Sequence, residues 1–148
     1  MELVVFAGIQ GSGKTTFYRE RFLPTHVRLS LDILGTRNRE DILLHACLAA
    51  QQRVLIDNTN PAAAQRTRYA NLAKASGFKA VLYFFDITTS QAVARNATRE
   101  GSARVPDVAI FGTQAKLQRP TRNEGFDAIF RVTGIEGHFT VEEWRDEV

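Results

Sequence analysis

The feature that most constrains this fold is a glycine-rich turn that joins an apolar run to an amphipathic one. Residues 8–15 read Gly-Ile-Gln-Gly-Ser-Gly-Lys-Thr and directly follow the run Leu3–Ala7. A short, continuous apolar run needs cover on both faces, which predicts a strand buried inside a parallel sheet. Glycines let the backbone turn sharply after that strand, and the pattern over Lys14–Phe22 predicts a helix. The segment therefore predicts a strand–turn–helix unit of an α/β protein.

Apolar runs and amphipathic segments alternate along the rest of the chain, without repeats or linkers. The predicted strands are Leu3–Ala7, His26–Leu29, Arg53–Asp57, Phe78–Phe85 and Ala128–Val132. The predicted helices are Lys14–Phe22, Arg39–Gln51, Ala62–Ser76, Ser90–Arg99, Asp107–Leu117 and a short acidic C-terminal helix, Val141–Glu147. This alternation favours one domain over residues 1–148, with a five-stranded, mostly parallel sheet sandwiched by helices.

The composition of the chain suggests where it works and what it binds. Its single cysteine, Cys47, cannot form an internal disulfide, and no apolar run reaches the length of a membrane span. The first residues lack the basic start and long apolar stretch of a signal peptide, so we expect a cytoplasmic protein that does not bind membranes. Fifteen of the 19 basic residues are arginines, and residues 1–135 carry 18 basic against 11 acidic side chains. This balance suits a phosphorylated partner, because arginine pairs bidentately with phosphate.

The glycine-rich turn has the chemistry of a phosphate site. Its backbone amides would point inward at a phosphate, and the following helix adds its positive end. We expect Lys14 to contact the β- and γ-phosphates, Thr15 to ligate Mg²⁺ through its hydroxyl, and Thr16 to reach the α-phosphate. The predicted nucleotide-binding residues are Gly11, Ser12, Gly13, Lys14, Thr15 and Thr16. The motif thus predicts binding of ATP, or of another nucleoside triphosphate, together with Mg²⁺.

Two acidic residues that follow predicted strands extend this site. Asp57 ends an apolar strand, where a carboxylate can hold magnesium through its water shell; capping a turn or a helix is its alternative role. Asp32 follows the second strand, and loops at the carboxyl ends of parallel strands line the ligand crevice. We predict that Asp32 accepts the proton of an acceptor hydroxyl as the phosphoryl group is transferred. The alternative for Asp32 is an Asx turn that stabilises the loop.

A helix–loop–helix over about residues 95–106 predicts a lid that closes over the phosphates. Arg95 and Arg99 are four residues apart, so they share one face of the first helix. We predict that Arg99, and after it Arg95, is catalytic because its guanidinium meets the charge that develops during transfer. Arg104 on the loop is a further candidate. For each arginine, a solvated surface position is the alternative.

Further motifs follow in a fixed order along the chain. They are Asp32–Gly35, Ile56–Pro61 with Arg66, Arg68 and Tyr69, Arg95-Asn96 with Arg99, Val105-Pro106, and Pro120-Thr121 before Glu124–Phe126. Together with the glycine-rich turn they resemble the kinase domain of the 5′-hydroxyl polynucleotide kinases, closest to the animal type, from about Leu3 to Val132. The resemblance implies a P-loop kinase fold and ATP- and magnesium-dependent transfer to the 5′-OH of DNA or RNA. It also implies that Lys14 and Thr15 contact nucleotide and metal, Asp32 is the general base and Arg99 is the essential lid arginine.

The acceptor side leaves alternatives open. Phage-type members of the resembled family carry an arginine shortly after the base that contacts the acceptor's 3′-phosphate, and Arg37 is the candidate for that contact here. The predicted substrate-binding residues are Asp32, Arg37, Arg66, Arg68 and Arg104, whose arginines would follow a polynucleotide backbone. A small-molecule kinase acting on a sugar, nucleoside or antibiotic would use the same phosphate site and base. A non-catalytic nucleotide-binding switch would bind ATP without phosphoryl transfer. Nothing in the sequence predicts a partner protein.

Overall fold

The computed structural model describes residues 1–146, which form a six-stranded sheet with helices on both faces. The strands are β1 (Glu2–Ala7), β2 (Val27–Leu29), β3 (Val54–Asp57), β4 (Lys79–Phe85), β5 (Ala128–Thr133) and β6 (Thr140–Glu143). The helices are α1 (Lys14–Arg21), α2 (Leu31–Leu34), α3 (Arg37–Ala49), α4 (Ala63–Ala75), α5 (Thr89–Ala97) and α6 (Asp107–Lys116). Short 3₁₀ turns lie at Gly101–Ala103 and Arg122–Glu124.

Strand β1 lies inside the sheet, whose order is β2–β3–β1–β4–β5–β6. Strands β1 to β5 run parallel, and β6 pairs antiparallel with β5. The stretch Leu3–Ala7 is fully buried because strands pair with both of its edges and helices cover both of its faces. The predicted α/β fold with a mostly parallel sheet is therefore confirmed, with six strands in place of the predicted five. The carboxyl ends of β1, β2 and β3 meet at one edge, where the glycine-rich turn also lies.

Alternating side chains of β1 divide the core into two layers. Leu3 and Val5 pack in the layer formed with α3 and α4, whereas Val4 and Phe6 pack in the layer formed with α1. The second layer is rich in aromatic rings, and the ring centroids of Phe6 and Phe17 lie 5.9 Å apart in a tilted contact. A rigid sheet packed on both faces fixes the loops at its carboxyl edge, which is where the site is built.

The predicted C-terminal helix, Val141–Glu147, is wrong. Strand β6 occupies the start of this segment and places Val141 opposite Val132 of β5. Two β-branched residues begin β6 and favour a strand, and the open edge of β5 offers backbone hydrogen bonds. A short isolated helix is marginal in water, so pairing with the sheet prevails. Trp144 then buries its ring against the core, and Glu147 lies outside the described residues.

The other predicted helices agree with the structure to within two residues at each end. The single turn α2 was not predicted. Ser30 caps its start, and Gly35 ends it with a φ of +81°, a conformation that favours glycine. Among residues 1–146, none of the helices has the length and apolar character needed to cross a membrane.

Candidate active site

The glycine-rich turn, residues 8–13, lies between the carboxyl end of β1 and the first turn of α1. Gly11 has a φ of +79°, and a Cβ at this position would lie 2.7 Å from the carbonyl oxygen of Ala92 in α5. Gly13 caps α1 with a φ of +92°. Both positions favour glycine, because an L side chain would be strained at either φ, and at Gly11 it would also collide with the α5 backbone. The result is a tight backbone cradle at a helix N-terminus, which fits an anionic phosphate, and Thr16 lies partly buried beside it.

Lys14 folds back over this cradle. Its Nζ donates to the carbonyl oxygens of Gly8 and Ile9, each at 2.8 Å, and to Ser12 Oγ at 3.2 Å. The amine is therefore buried among neutral oxygens, which solvate a positive charge less well than a carboxylate or a phosphate would. An anion bound in the cradle would therefore lie beside the Lys14 amine, which these hydrogen bonds already hold over the cradle.

Three charged groups from different elements act on the same amine. Burial lowers the pKa of Lys14 to about 8; among its neighbours, Asp57 raises this pKa, Arg99 lowers it and Asp32 raises it. The structure thus brings the predicted base, the predicted metal ligand and the predicted lid arginine within electrostatic reach of one phosphate-binding lysine. Their roles in catalysis stay predictions.

Thr15 and Asp57 contact each other next to Lys14. The Thr15 hydroxyl donates to Asp57 Oδ2 at 2.9 Å, and the Asp57 side chain is only 3% exposed. A hydroxyl and a carboxylate are hard oxygen donors of the kind that Mg²⁺ prefers, so the pair fits the predicted magnesium site. Arg28 of β2 joins the pair: its Nε donates to Asp57 Oδ2 at 2.7 Å and its Nη2 donates to Thr15 Oγ1 at 3.2 Å.

The turn after β3, residues 58–61, ties the cradle to the sheet. The Thr59 carbonyl accepts a hydrogen bond from Gly8 N at 2.9 Å, and Asn60 Nδ2 donates to Phe6 O at 2.8 Å. Asn60 has a φ of +42°, in the left-handed region that asparagine tolerates better than most residues. The Asp-Asn-Thr-Asn-Pro motif therefore fixes the phosphate cradle by backbone and amide contacts.

Asp32 lies in the single turn α2 and is exposed to solvent. The Ser30 hydroxyl accepts a hydrogen bond from the Asp32 amide at 3.3 Å and caps this turn. The Ser30 hydroxyl thus supplies the cap of this turn, and the role of the Asp32 carboxylate stays a prediction. The Asp32 carboxylate keeps its acceptor capacity for a hydroxyl in the crevice.

A buried network holds the residue that precedes Asp32. Asn58 Oδ1 accepts from Leu31 N at 2.9 Å, and Asn58 Nδ2 donates to Glu40 Oε2 at 2.8 Å. Glu40 is fully buried and also accepts a hydrogen bond from the Tyr69 hydroxyl. Burial and the Glu40 carboxylate raise the pKa of Tyr69, so its hydroxyl remains a donor at ordinary pH. Helices α3 and α4 and the turn after β3 together fix the position of α2.

The helix–loop–helix that was predicted to form a lid is present and consists of α5, the first 3₁₀ turn and α6. Asn96 pins its base: Nδ2 donates to Val105 O at 2.6 Å, and Oδ1 accepts from Val105 N at 3.0 Å. Because Asn96 is fully buried, the base of the lid is rigid and movement would be confined to the tip. Closure of the lid stays a prediction.

The two lid arginines lie at different depths. Arg95 donates to the Gly134 carbonyl and, at 3.5 Å, to Gly11 O, so it contacts the phosphate cradle directly. Arg99 lies further along and donates to Ala103 O at 3.4 Å within the lid tip. Arg95 therefore has a structural anchor at the cradle, whereas Arg99 has a looser position from which it reaches the cradle's lysine electrostatically.

Two of the four predicted acceptor arginines share one surface. A groove of about 290 Å³ between α3 and α4 is lined by Arg37, Asp41, Gln65, Arg68 and Tyr69. Arg37 donates to the Tyr69 hydroxyl at 3.0 Å, and Arg68 pairs with Asp41. Arg104 is exposed on the lid loop, outside the set of residues that line this groove.

The predicted acceptor role of Arg66 is wrong. Its side chain is fully buried, and its guanidinium pairs bidentately with Glu124, with Nε–Oε1 at 2.7 Å and Nη2–Oε2 at 2.9 Å. The remaining Nη1 donates to the carbonyl oxygens of Asn60 and Pro61, each at 3.1 Å. A guanidinium with these partners has no face left for a polynucleotide. Arg66 instead ties α4 to the turn after β3.

Three residues that shape the site were missed from the sequence. Glu40 had a signal, because it falls in line with Leu44 and Leu48 at intervals of four, and all three are buried on one helix face. Asn58 belonged to a recognised motif, but its two partners lie far away in sequence. Arg28 sits in a three-residue strand where nothing in the pattern distinguishes it from a solvated arginine.

The family model described as the AAA domain matches residues 36–120, more than half of the chain. The chain belongs to the AAA domain family. The matched span runs from the start of α3 through the lid to the segment before β5. The phosphate cradle and Asp32 precede this span, so in this AAA domain their identification depends on the geometry described above.

Two curated proteins resemble this AAA domain along most of its length. The bifunctional polynucleotide phosphatase/kinase of Schizosaccharomyces pombe is 26% identical over 137 residues, which cover 88% of this chain and 33% of that protein. A protein of Acanthamoeba polyphaga mimivirus, provisionally given the same name, is 30% identical over 139 residues, 89% of this chain and 33% of that protein. The chain spans about a third of the length of these relatives. The resemblance drawn from the sequence motifs is confirmed.

A solved structure shows the same fold. A sugar kinase from Janibacter sp. superposes with a TM-score of 0.67 and 18% sequence identity, covering 88% of this chain and 85% of that chain. At this identity the likeness shows the fold alone, which is that of a P-loop kinase. The AAA domain thus combines the fold of a P-loop kinase with a cradle and a lysine that fit the phosphates of a nucleotide.

Proposed function

We propose that this AAA domain is an ATP- and magnesium-dependent polynucleotide kinase that phosphorylates 5′-hydroxyl ends of DNA or RNA, as in the healing of broken ends. The observation that carries the proposal is the Lys14 amine folded over the glycine-rich cradle with Thr15 and Asp57 in contact at 2.9 Å beside it. Asp32 and Arg99 lie within electrostatic reach of the same amine. A phosphate-binding amine, a carboxylate base and a lid cation are the parts that phosphoryl transfer requires. The names of the two relatives support a polynucleotide as the acceptor.

The proposed reaction begins at Asp32. Its carboxylate accepts the proton of the 5′-hydroxyl, whose oxygen forms a bond to the γ-phosphorus while the bond from phosphorus to the ADP oxygen breaks. The exposure of Asp32 and the rigid support of α2 suit this role. Lys14 and Arg99 would offset the negative charge on the transferred group, and Arg95 would assist from its anchor at the cradle.

The residues of the cradle would hold the nucleotide and its metal. Backbone amides of residues 11–13 and the Thr16 hydroxyl would contact the phosphates. Thr15 would bind Mg²⁺ directly and Asp57 would bind it through water, in keeping with the 2.9 Å between their oxygens. When bound, Mg²⁺ would neutralise charge on the β- and γ-phosphates.

The groove between α3 and α4 supports a polymeric acceptor. Arg37 and Arg68 line it, Arg37 follows α2 closely in sequence, and Arg104 would add a contact from the lid. Arginines spaced along a groove suit a phosphate backbone, and their contacts should make acceptor affinity fall with salt. The partner of Arg68, Asp41, would be exchanged for a phosphate on binding.

Two broader predictions belong to this proposal. One domain over residues 1–148 is supported by the sheet, which is continuous from β2 to β6 within residues 1–146. A cytoplasmic location is supported by the sequence composition.

A small-molecule kinase is the second candidate. A solved sugar kinase shares the fold of this chain, and that fold is compatible with either acceptor. A small-molecule kinase would use the same cradle and the same base. The two candidates therefore differ only in the molecule that occupies the groove between α3 and α4.

The test measures where a labelled phosphate goes. The protein is incubated with γ-labelled ATP, Mg²⁺ and an oligonucleotide that ends in a 5′-hydroxyl, beside the same oligonucleotide with a 5′-phosphate and a panel of sugars and nucleosides. We expect label only in the hydroxyl-ended strand. Asp32→Asn should abolish transfer because it removes the base, whereas Glu143→Gln, which neutralises an exposed carboxylate on β6, should leave it intact.

Label in a sugar or nucleoside, without label in the oligonucleotide, would establish the second candidate instead. If none of the acceptors carries label after incubation with a preparation that binds ATP, both kinase hypotheses are refuted.

A further inference from the structure

Arg28 contacts both of the side chains that are proposed to hold magnesium. Its Nε lies 2.7 Å from Asp57 Oδ2 and its Nη2 lies 3.2 Å from Thr15 Oγ1, while Thr15 and Asp57 are themselves 2.9 Å apart. The three side chains form a closed triangle of hydrogen bonds. The triangle is mostly buried, with the Arg28 side chain 18% exposed and the Asp57 side chain 3% exposed.

The fork of the guanidinium makes this arrangement possible. Arg28 lies on β2, beside the strand that ends in Asp57, and its planar group reaches two oxygens at once. A lysine has a single charged nitrogen on a flexible stem and lacks this fixed geometry. The contact is thus specific to arginine at this position.

A cation is therefore already in place where a metal would bind. The Thr15 hydroxyl gives its hydrogen to Asp57 and accepts from Arg28, which leaves one lone pair of its oxygen for a metal. The Asp57 carboxylate is already neutralised by Arg28. A divalent cation at these oxygens would lie close to the guanidinium, and like charges repel strongly where water is excluded.

We propose that Arg28 makes metal binding depend on nucleotide. The guanidinium holds Thr15 and Asp57 in place and disfavours free Mg²⁺, and the site accepts the metal when a triphosphate brings compensating negative charge. Arg28 is then a positioning residue that selects the metal–nucleotide complex over the free cation. This inference rests on the proposed metal roles of Thr15 and Asp57 and adds the residue that controls them.

The test uses Mn²⁺ as a paramagnetic replacement for Mg²⁺ and follows free Mn²⁺ by EPR. Each protein is titrated without nucleotide and again with a non-hydrolysable ATP analogue, and a titration of the analogue without protein gives the Mn²⁺ that the analogue holds alone. Arg28→Met and Arg28→Gln both remove the charge, and the glutamine keeps an amide that can donate to Asp57. Arg131→Met is the matched control, because it removes a strand arginine that pairs with Asp86 at 2.8 Å on another part of the sheet. Circular dichroism establishes that each variant is folded.

We expect free Mn²⁺ to bind at least about tenfold more tightly to the Arg28 variants than to the wild type, since a nearby positive charge is removed. With the ATP analogue, wild type and variants should differ far less. Arg131→Met should behave as the wild type in both titrations. Adding Thr15→Val to Arg28→Met should remove the gain, which locates the metal at the triangle.

An unchanged or weaker affinity for free Mn²⁺ in a folded Arg28 variant would overturn the inference. If only one of the two Arg28 variants folds, the affinity of that variant for free Mn²⁺ decides the result. A wild type that binds no Mn²⁺ even with the ATP analogue would instead overturn the proposed metal site, a result that the nucleotide titration separates from the first.

Discussion

Replacing Lys14 with methionine should change how the stability of the protein depends on pH. Burial is the largest cause that lowers the pKa of Lys14, from 10.5 to about 8. Between these two values the unfolded chain holds the proton that the folded chain has released. As the pH rises through this window, the unfolded chain gains less and less free energy from holding this proton. The free energy of unfolding of the wild type therefore rises. Methionine has no proton to exchange, so Lys14→Met should lack this gain.

The magnitude follows from the two pKa values. A change in the pKa of Lys14 from 10.5 to about 8 corresponds to roughly 3 kcal/mol, at about 1.4 kcal/mol for each tenfold change in proton affinity. Below pH 8 the amine is protonated in both states and folding bears this whole penalty. Above pH 10.5 the penalty is absent. The free energy of unfolding of the wild type, relative to Lys14→Met, should therefore rise by roughly 3 kcal/mol across the window.

The assay is urea unfolding followed by circular dichroism, in steps from pH 7 to pH 10.5. Hydrogen bonds lost with Lys14 contribute an offset that does not vary with pH, so only the change in the difference is read. Lys74→Met, which removes a lysine exposed on α4, is the matched control and should run parallel to the wild type. If the free energies of unfolding of Lys14→Met and the wild type change in parallel with pH, the Lys14 amine does not have the lowered pKa that burial at the cradle implies, and the reasoning is refuted.

Three further changes probe the scaffold of the site. Arg66→Met should lower the free energy of unfolding by about 3–5 kcal/mol in chemical denaturation, because it strands a buried Glu124, and adding Glu124→Leu should restore much of the loss. Gly11→Ala should weaken ATP binding in a titration, since its Cβ would collide with the α5 backbone, whereas Gly112→Ala, which meets nothing within 4 Å, should not. Asn58→Ala should lower kcat more than it raises the KM for acceptor, because it loosens the base; an unchanged kcat would count against this network.

The phosphate cradle was predictable because the signals for it are local. The glycines, the lysine and the threonine lie within eight consecutive residues and follow one buried strand. To predict that Thr15 and Asp57 lie close together, one further rule was required: the carboxyl ends of parallel strands lie at the same edge of the sheet. Local pattern and sheet geometry together therefore sufficed for the cradle and its neighbours.

The failures have a different origin, since they depend on what lies opposite a residue in space. Arg66 follows the same α4 stripe as Tyr69 and Ala70, but the sequence does not tell whether a guanidinium at that position meets a buried acid or solvent. Glu124, its partner, is 58 residues away. The segment after residue 140 likewise forms a strand because β5 has an open edge, a fact that its own residues do not contain.

The two halves of the site are held with different strength, and this bears on what sets acceptor preference. Buried hydrogen bonds to the turn after β3 fix the cradle. Breaking them would lower the free energy of unfolding, because buried polar groups would lose their partners. The arginines of the acceptor groove have replaceable partners: Arg68 pairs with Asp41 at the surface, where an ion pair contributes only about 0–1 kcal/mol. Exchanging such a partner for a phosphate would cost little, so a polymer bound in the groove, as the proposed function requires, would leave the cradle undisturbed. By the same reasoning, substitutions of Arg37 or Arg68 should alter acceptor choice while nucleotide binding is retained.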